Sequence, residues 1–195
     1  MKLIDITRIV QEAPVYPGAA ETKIERVTEI SKGDNSNYSL ITTNSHAGTH
    51  IDAFCHFVQD GLTTEQMNLS LYYGSCRVLS FPRHSILQAS DFEDKLEGVK
   101  RVAIHGGGYT YLDASAAEYI LARGIKTIVT DAWSVAPLNN EVQIHRIFLQ
   151  NGVAIVENVI LDGVADGDYI LCAFPINYGG CDGAPVRAVL IDNQN

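Results

Sequence analysis

A chain of 195 residues with 46% hydrophobic and 19% charged positions has the composition of a soluble globular protein, and its length fits one domain over 1–195. A net charge of −9 argues against nucleic acid or anionic membrane as partners, because both need a basic face. Met1-Lys2-Leu3-Ile4-Asp5 puts an acid where a signal peptide would stay apolar, and no long apolar span follows, so the cytosol is the expected compartment.

In chain order, Leu3-Ile4-Asp5-Ile6 reads as a strand and Pro14-Val15-Tyr16-Pro17-Gly18 as a rigid turn-rich loop with an exposed aromatic. Residues 22–30 alternate as a partly exposed strand would, and Tyr38 to Thr43 is a second β-rich run after the Gly33-Asp34-Asn35-Ser36-Asn37 loop. The chain then enters its densest stretch of chemistry. Residues 46–56 hold His46, His50, Asp52 and His56, three of the six histidines and one aspartate. Imidazole and carboxylate are the ligands that borderline divalent metals such as zinc or manganese prefer. On an ideal strand His46 and His50 would stand roughly 13 Å apart, too far for one ion. Gly48 favours a sharp bend over a helix, and such a bend folds His46 back beside His50 and Asp52. From Asp52, read as an N-cap, a helical turn would carry His56 over the same place.

Further on, Arg77 to Phe81 is a short strand. Ser90-Asp91-Phe92-Glu93 reads as a capping box opening a helix that ends near Gly98. Arg101 to Ile104 is a strand running into His105-Gly106-Gly107-Gly108. Ser115-Ala116-Ala117-Glu118 reads as a second capping box, its helix closed at Gly124 by a left-handed glycine. Lys126 to Thr130 is a buried strand. Asn140 to Gln150 is a helix with Val142, Ile144, Ile147 and Phe148 towards the core, and Val153 to Val156 is a strand ending at Glu157. Tyr169 to Phe174 and Pro185 to Ile191 are the last strands, joined through the Gly179-Gly180-Cys181-Asp182-Gly183 loop. This mixture of strands and helices predicts an α/β or α+β domain.

Outside residues 46–56 the sequence leaves alternatives open. His145 and Glu157 flank the reversal at Asn151-Gly152 and can converge, yet taken alone they are ordinary surface residues. The His105-Gly106-Gly107-Gly108 run resembles an esterase oxyanion loop, but no GxSxG nucleophile elbow accompanies it, which favours a tight turn. No GxGxxG or GxxxxGK[ST] fingerprint supports nucleotide binding. Asp131 serves a site or caps Ser134 locally. The cysteines (Cys55, Cys76, Cys172, Cys181) make no CxxC pair; Cys55 reads as a buried free thiol, with ligand or nucleophile as the alternatives.

The run His46-Ala47-Gly48-Thr49-His50-Ile51-Asp52-Ala53 with His56 resembles the HxGTHxDAxxH signature of the cyclase family of metal-dependent hydrolases, which includes bacterial kynurenine formamidase and isatin hydrolase. Leu3-Ile4-Asp5-Ile6-Thr7, Val15-Tyr16-Pro17-Gly18, the His145…Gly152-Val153…Glu157-Asn158 segment and Asp182-Gly183-Ala184-Pro185-Val186-Arg187-Ala188 resemble family features in the same order, so the likeness spans nearly the whole chain. It implies a swivelling β/β/α fold, with a central mixed or barrel-like sheet and flanking helices, assembled as a homodimer or larger oligomer such as a tetramer. It also implies one or two zinc or manganese ions: His46, His50 and Asp52 on the first, Asp52, His145 and Glu157 on a second, and His56 as catalytic acid–base. The implied reaction is hydrolysis of a small-molecule amide such as an N-formyl arylamine. A cyclic amide or lactone, or a non-catalytic binding protein on the same fold, are the alternatives. Three positions depart from the formamidase pattern: Phe54 where Pro is common, Tyr16 where Trp is common, and Ala19-Ala20 where an acid often follows. Phe54 and Tyr16 are therefore the expected specificity positions of the substrate pocket.

Overall fold

The computed structural model describes residues 1–193. In chain order its strands are β1 (Lys2–Asp5), β2 (Lys23–Thr28), β3 (Tyr38–Thr42), β4 (His50–Asp52), β5 (Tyr73–Ser80), β6 (Ile86–Leu87) and β7 (Arg101–His105). There follow β8 (Tyr111–Leu112), helix α1 (Ala114–Ala122), β9 (Thr127–Thr130), helix α2 (Glu141–Leu149), β10 (Ala154–Glu157), β11 (Gly167–Cys172), β12 (Gly183–Pro185) and β13 (Val189–Asp192). Strand alternation sorts the central strands between two cores. Val102, Ile104, Ile128 and Ile155 face a cluster completed by α1 and α2, whereas Ala103, Val129, Ala154 and Val156 face a second one built with β5, β11 and β13. A strand apolar on both faces must be covered on both.

Nine strands form one mixed sheet in the order β1-β13-β11-β5-β7-β9-β10-β4-β12. The β5-β7-β9-β10 pairings are parallel and the rest antiparallel. Its shape follows from a length argument. If the sheet were flat, the seven spacings between β13 and β12 would amount to roughly 34 Å. The chain from Pro185 to Val189 can span at most about 14 Å. The sheet therefore curls into a half-barrel, and the short connection stitches its edges together: Val186 N–H donates to the Thr49 carbonyl beside β4, and the Ala188 carbonyl accepts from Ile6 N–H beside β1. This also explains why Pro185 to Ile191 is two strands at distant places in the sheet and not one.

Three local expectations change. The turn near Ser90 is a short 3-10 segment, Ala89–Phe92, capped from Gln88, whose N–H donates to Asp91. Asp94, at φ 59°, lies in the left-handed region, which no right-handed helix can pass through. The cap of α1 is Asp113, which accepts from Ala116 N–H at 2.9 Å, two residues before the expected Ser115. In α2, Ile144 and Phe148 form the buried stripe, while Val142 stands off it, 49% exposed.

Phe148 anchors the helix that carries His145, and it is fully buried. Phe148→Ala is expected to cost about 3–5 kcal/mol in urea unfolding, the range for emptying a large aromatic site.

Candidate metal centre

Strand β4 is placed between β10 and β12, and register does the rest. His50 and Asp52, two apart, point to the α2 side of the sheet, and Ile51 between them fills the opposite core. Glu157 sits directly opposite His50, and Ile155 opposite Asp52. From above, α2 lowers His145 onto the same spot. On the β12 side Asp52 faces Gly183, where a Cβ would lie 2.8 Å from the His46 ring, so only glycine leaves room for that imidazole. Gly48 has φ +67° and makes the expected bend. Asp52 is not an N-cap. It ends β4, and the 3-10 turn Phe54–His56, flanked by Ala53, delivers His56.

Asp52 is the centre of the cluster. Its Oδ1 lies 3.0 Å from His46 Nδ1 and 3.6 Å from His50 Nε2; its Oδ2 lies 3.5 Å from His145 Nε2. Glu157 reaches His50 Nε2 at 3.5 Å and His145 Nε2 at 3.4 Å through its two oxygens. The Nδ1–H of His50 is directed at the Gly48 carbonyl (2.9 Å) and that of His145 at the Glu141 carbonyl (2.8 Å), which turns both Nε2 atoms inward. Asp52 Oδ2 is buried with no hydrogen-bond partner. An orphaned carboxylate oxygen facing inward-turned imidazoles is the donor set of a divalent cation, so the residues fit one. Two overlapping groups bring their ligand atoms within 4.8 Å of one another: His50-Asp52-Glu157 and His46-Asp52-His56.

The second group includes a neighbour that local reading missed. Asp182, on the loop before β12, accepts from His46 Nε2 at 3.1 Å, His56 Nδ1 at 3.3 Å and Ser45 Oγ at 2.8 Å. Its Gly-rich surroundings look like loop in sequence; only the β4–β12 pairing puts it here, with Ala53 N–H donating to its carbonyl. His46 and His56 stack with centroids 4.0 Å apart.

Burial lowers the pKa of His46, but hydrogen bonds to Asp182 and Asp52 outweigh it and raise the value to about 10. Burial likewise opposes protonation of His145, yet Glu157 and Asp52 bring it to about 9. Asp52 would be pushed up by burial, but His46 and the other imidazoles hold it well below the carboxylate range; Asp182 is held down by His46. His56 goes the other way. Burial, joined by repulsion from His46 and His145, lowers it below 6.5.

Tyr16, Phe57, Trp133 and Glu141 join the ligands around a cavity of about 490 Å³. The Tyr16 and Trp133 rings lie 5.1 Å apart. Phe54 is not in this wall; it is wedged between the two cores, and the aromatic presented to the cavity is Phe57, 4.5 Å from the His145 ring. Cys55 is partly buried, its thiol directed at the Cys181 carbonyl and its pKa raised by burial and nearby Asp182, which opposes a thiolate. Asp131 caps the His105 turn instead of Ser134, accepting from Gly106 and Gly107 N–H and bonding His105 Nδ1 at 2.7 Å.

The family described as putative cyclase matches residues 4–137. The chain belongs to this cyclase family. It is 32% identical over 200 positions to the kynurenine formamidase of Bacillus cytotoxicus, an alignment covering 96% of each chain. A potential metal-dependent hydrolase with cyclase activity superposes with a TM-score of 0.84 at 25% identity, over 100% of this chain and 99% of that one. An isatin hydrolase bound to the product analogue thioisatinate shares the fold, with a TM-score of 0.82 at 17% identity over 97% and 91% of the two chains.

The raised histidines make a pH prediction. Both hold a proton more tightly folded than unfolded, so the metal-free protein has their stabilisation in full below pH 6.5 and loses it as pH rises through about 9 to 10. The depressed Asp52 and Asp182 contribute above pH 3.8 and lose their contribution as pH falls below it. Thermal melts of chelated protein should peak between those limits and decline towards pH 10. Zinc- or manganese-loaded protein should not show the alkaline decline, since ligation replaces the protons. A flat melting temperature from pH 6.5 to 10 after chelation would contradict this account.

Proposed function

We propose that the chain is a divalent-metal-dependent hydrolase of aryl formamides, with an N-formylkynurenine-like amide as its leading substrate. The observation that carries this reading is the division of labour at Asp52, whose Oδ1 faces His46 and His50 while its Oδ2 faces His145. That division supports one ion held by His46, His50 and Asp52, and a second by Asp52, His145 and Glu157. The borderline character of imidazole–carboxylate sites suits zinc or manganese. A divalent ion held there supplies Lewis acidity, polarising the substrate carbonyl and easing deprotonation of water near neutral pH.

The protein's own groups do the remainder. His56 is neutral near pH 7 because its pKa is lowered, so it can accept the proton of the attacking water. Asp182 engages its Nδ1 and leaves Nε2 as the working atom. The same nitrogen returns that proton to the departing amide nitrogen, so that water and formamide become a free arylamine and formic acid, which leaves as formate and a proton. Phe57, Trp133 and Tyr16 supply aromatic walls for a planar ring.

Chelation should abolish turnover of formanilide or N-formylkynurenine, and added zinc or manganese should restore it. His56→Ala should lower kcat by roughly 10²- to 10⁴-fold with metal content retained. Metal-independent turnover, or wild-type rates in His56→Ala or His50→Ala, would sink the assignment. A panel including cyclic amides and lactones separates the isatin-type alternative.

We further read the chain as one cytosolic domain that works as a homo-oligomer. No helix among the described residues is long and apolar enough to cross a membrane. From 14 to 46 no residue is buried, yet the β2–β3 hairpin in that excursion exposes Ile24 at 49%, Leu40 at 49% and Ile41 at 60%. A two-stranded hairpin is marginal alone in water, and a second copy would cover it. Sedimentation should give a dimer or tetramer, and Ile24→Asp with Ile41→Asp should shift it towards monomer. A wild-type monomer would refute this part.

A further inference from the structure

With the ligands set aside, each polar side chain that lines the cavity and carries a donor gives one to a protein acceptor. Trp133 Nε1–H is given to Tyr111 Oη at 2.7 Å, and the Tyr16 hydroxyl to Glu141 Oε2 at 2.8 Å. Asn44 Nδ2 donates to the Ala20 carbonyl at 2.8 Å, and Asn158 Nδ2 to the Pro14 carbonyl at 3.5 Å. Acceptors are left over. Asn158 is 2% exposed, and its Oδ1 has no hydrogen-bond partner. The Glu141 carboxylate has only two hydroxyl partners, Tyr16 and Ser134 (3.4 Å), although an ionised carboxylate accepts at about four sites. Neither partner is charged, and no lysine or arginine lines the cavity.

A carboxylate without a cation in the wall of an aromatic-lined cavity is complementary to a positively charged donor. Its place is fixed. The Glu141 carbonyl holds His145 Nδ1, and four residues of helix put the Glu141 side chain roughly 6 Å along the axis from that ligand. An arm of two or three carbons on an aromatic ring covers this distance when the ring's amide lies at the ligands. The Tyr16 hydroxyl bonds the same carboxylate from the loop side, and Glu141 itself is placed by the first turn of α2.

We propose that Glu141 is a specificity-determining residue that recognises a primary ammonium group, so that aryl formamides bearing an aminoalkyl arm are preferred over uncharged isosteres. The proposal rests on the formamide hydrolase reading above for the reaction, but not for the recognition. The bland reading is that Glu141 only tethers the Tyr16 loop, and that reading predicts no dependence on substrate charge.

The test uses metal-loaded full-length protein and two formanilides, one with an ortho 2-aminoethyl arm and one with an ortho propyl arm. The ratio of their kcat/KM values is measured for wild type, Glu141→Gln and Tyr16→Phe, with calorimetric Kd values for the two corresponding anilines. Wild type should favour the ammonium compound roughly 10- to 100-fold in both measurements, and raised salt should shrink the preference. Glu141→Gln should bring the ratio close to one. Tyr16→Phe removes the tether but keeps the charge, and should keep the preference. A wild-type ratio near one, which needs no variant, would overturn the proposal, as would a preference that survives Glu141→Gln. If neither formanilide is hydrolysed but the anilines show the charge preference, the reaction fails and the subsite stands. If the anilines show none, the subsite fails whatever the turnover.

Discussion

The structure depends on a buried carboxylate. Asp52 is 1% exposed, and an isolated carboxylate in that position would cost several kcal/mol of lost hydration. Three imidazoles surround it, and one of its oxygens keeps no hydrogen bond. In the metal-free chain the compensation comes from protons on His46 and His145. That arrangement is a compromise: the protons neutralise charge, while Oδ2 is left unsatisfied. A divalent cation resolves both at once, because it balances two carboxylates and gives every inward-facing lone pair a partner. Much of the surrounding architecture serves to hold that unstable group in place.

The sheet does this through its edges. β4 is only three residues long, and alone it would specify nothing. Flanked by β10 and β12, it gains Glu157 opposite His50 from one side and Gly183 opposite Asp52 from the other. The curl matters as much as the register. Because residues 186–188 tie β12 to the far edge, the loop carrying Asp182 cannot swing away from His46 and His56. One carboxylate thus orients a candidate ligand and a candidate proton carrier together.

How much of this was legible in the sequence depended on how local the determinant was. The bend at Gly48 and the clustering of His46, His50 and Asp52 are properties of a seven-residue stretch, and both are present as expected. The convergence of His145 with Glu157 needed a family resemblance, since a helix residue and a strand-end residue twelve apart meet only when the helix packs back on its sheet. Asp182 lies within a glycine-rich loop, but its place beside His46 and His56 depends on pairing between strands about 130 residues apart, which no local pattern encodes. The reading of Phe54 failed for a related reason. Phe54 opens the 3-10 turn and packs against both cores, while the aromatic that meets the cavity is Phe57, just after the turn. The helix expected after Ser90 failed because left-handed Asp94 outweighed a plausible cap.

The excursion from 14 to 46 ties these observations together. It leaves the body at Pro14, contributes Tyr16, Ala19 and Ala20 to the cavity wall, runs out as the β2–β3 hairpin, and returns through Asn44 to His46. Its two ends are therefore parts of the site, although none of its residues is buried. Ordering the backbone costs about 1–2 kcal/mol per residue, and so long an exposed segment repays little of that through its own contacts. Whatever orders the hairpin also orders the cavity wall, including the Tyr16 hydroxyl that bonds Glu141. The candidate ligands, by contrast, are held by the curled sheet and by α2, except His46, which sits at the junction. The cavity wall thus joins the candidate ligands at two places, at His46 where the excursion returns and along α2, where the Glu141 carbonyl holds the His145 ring.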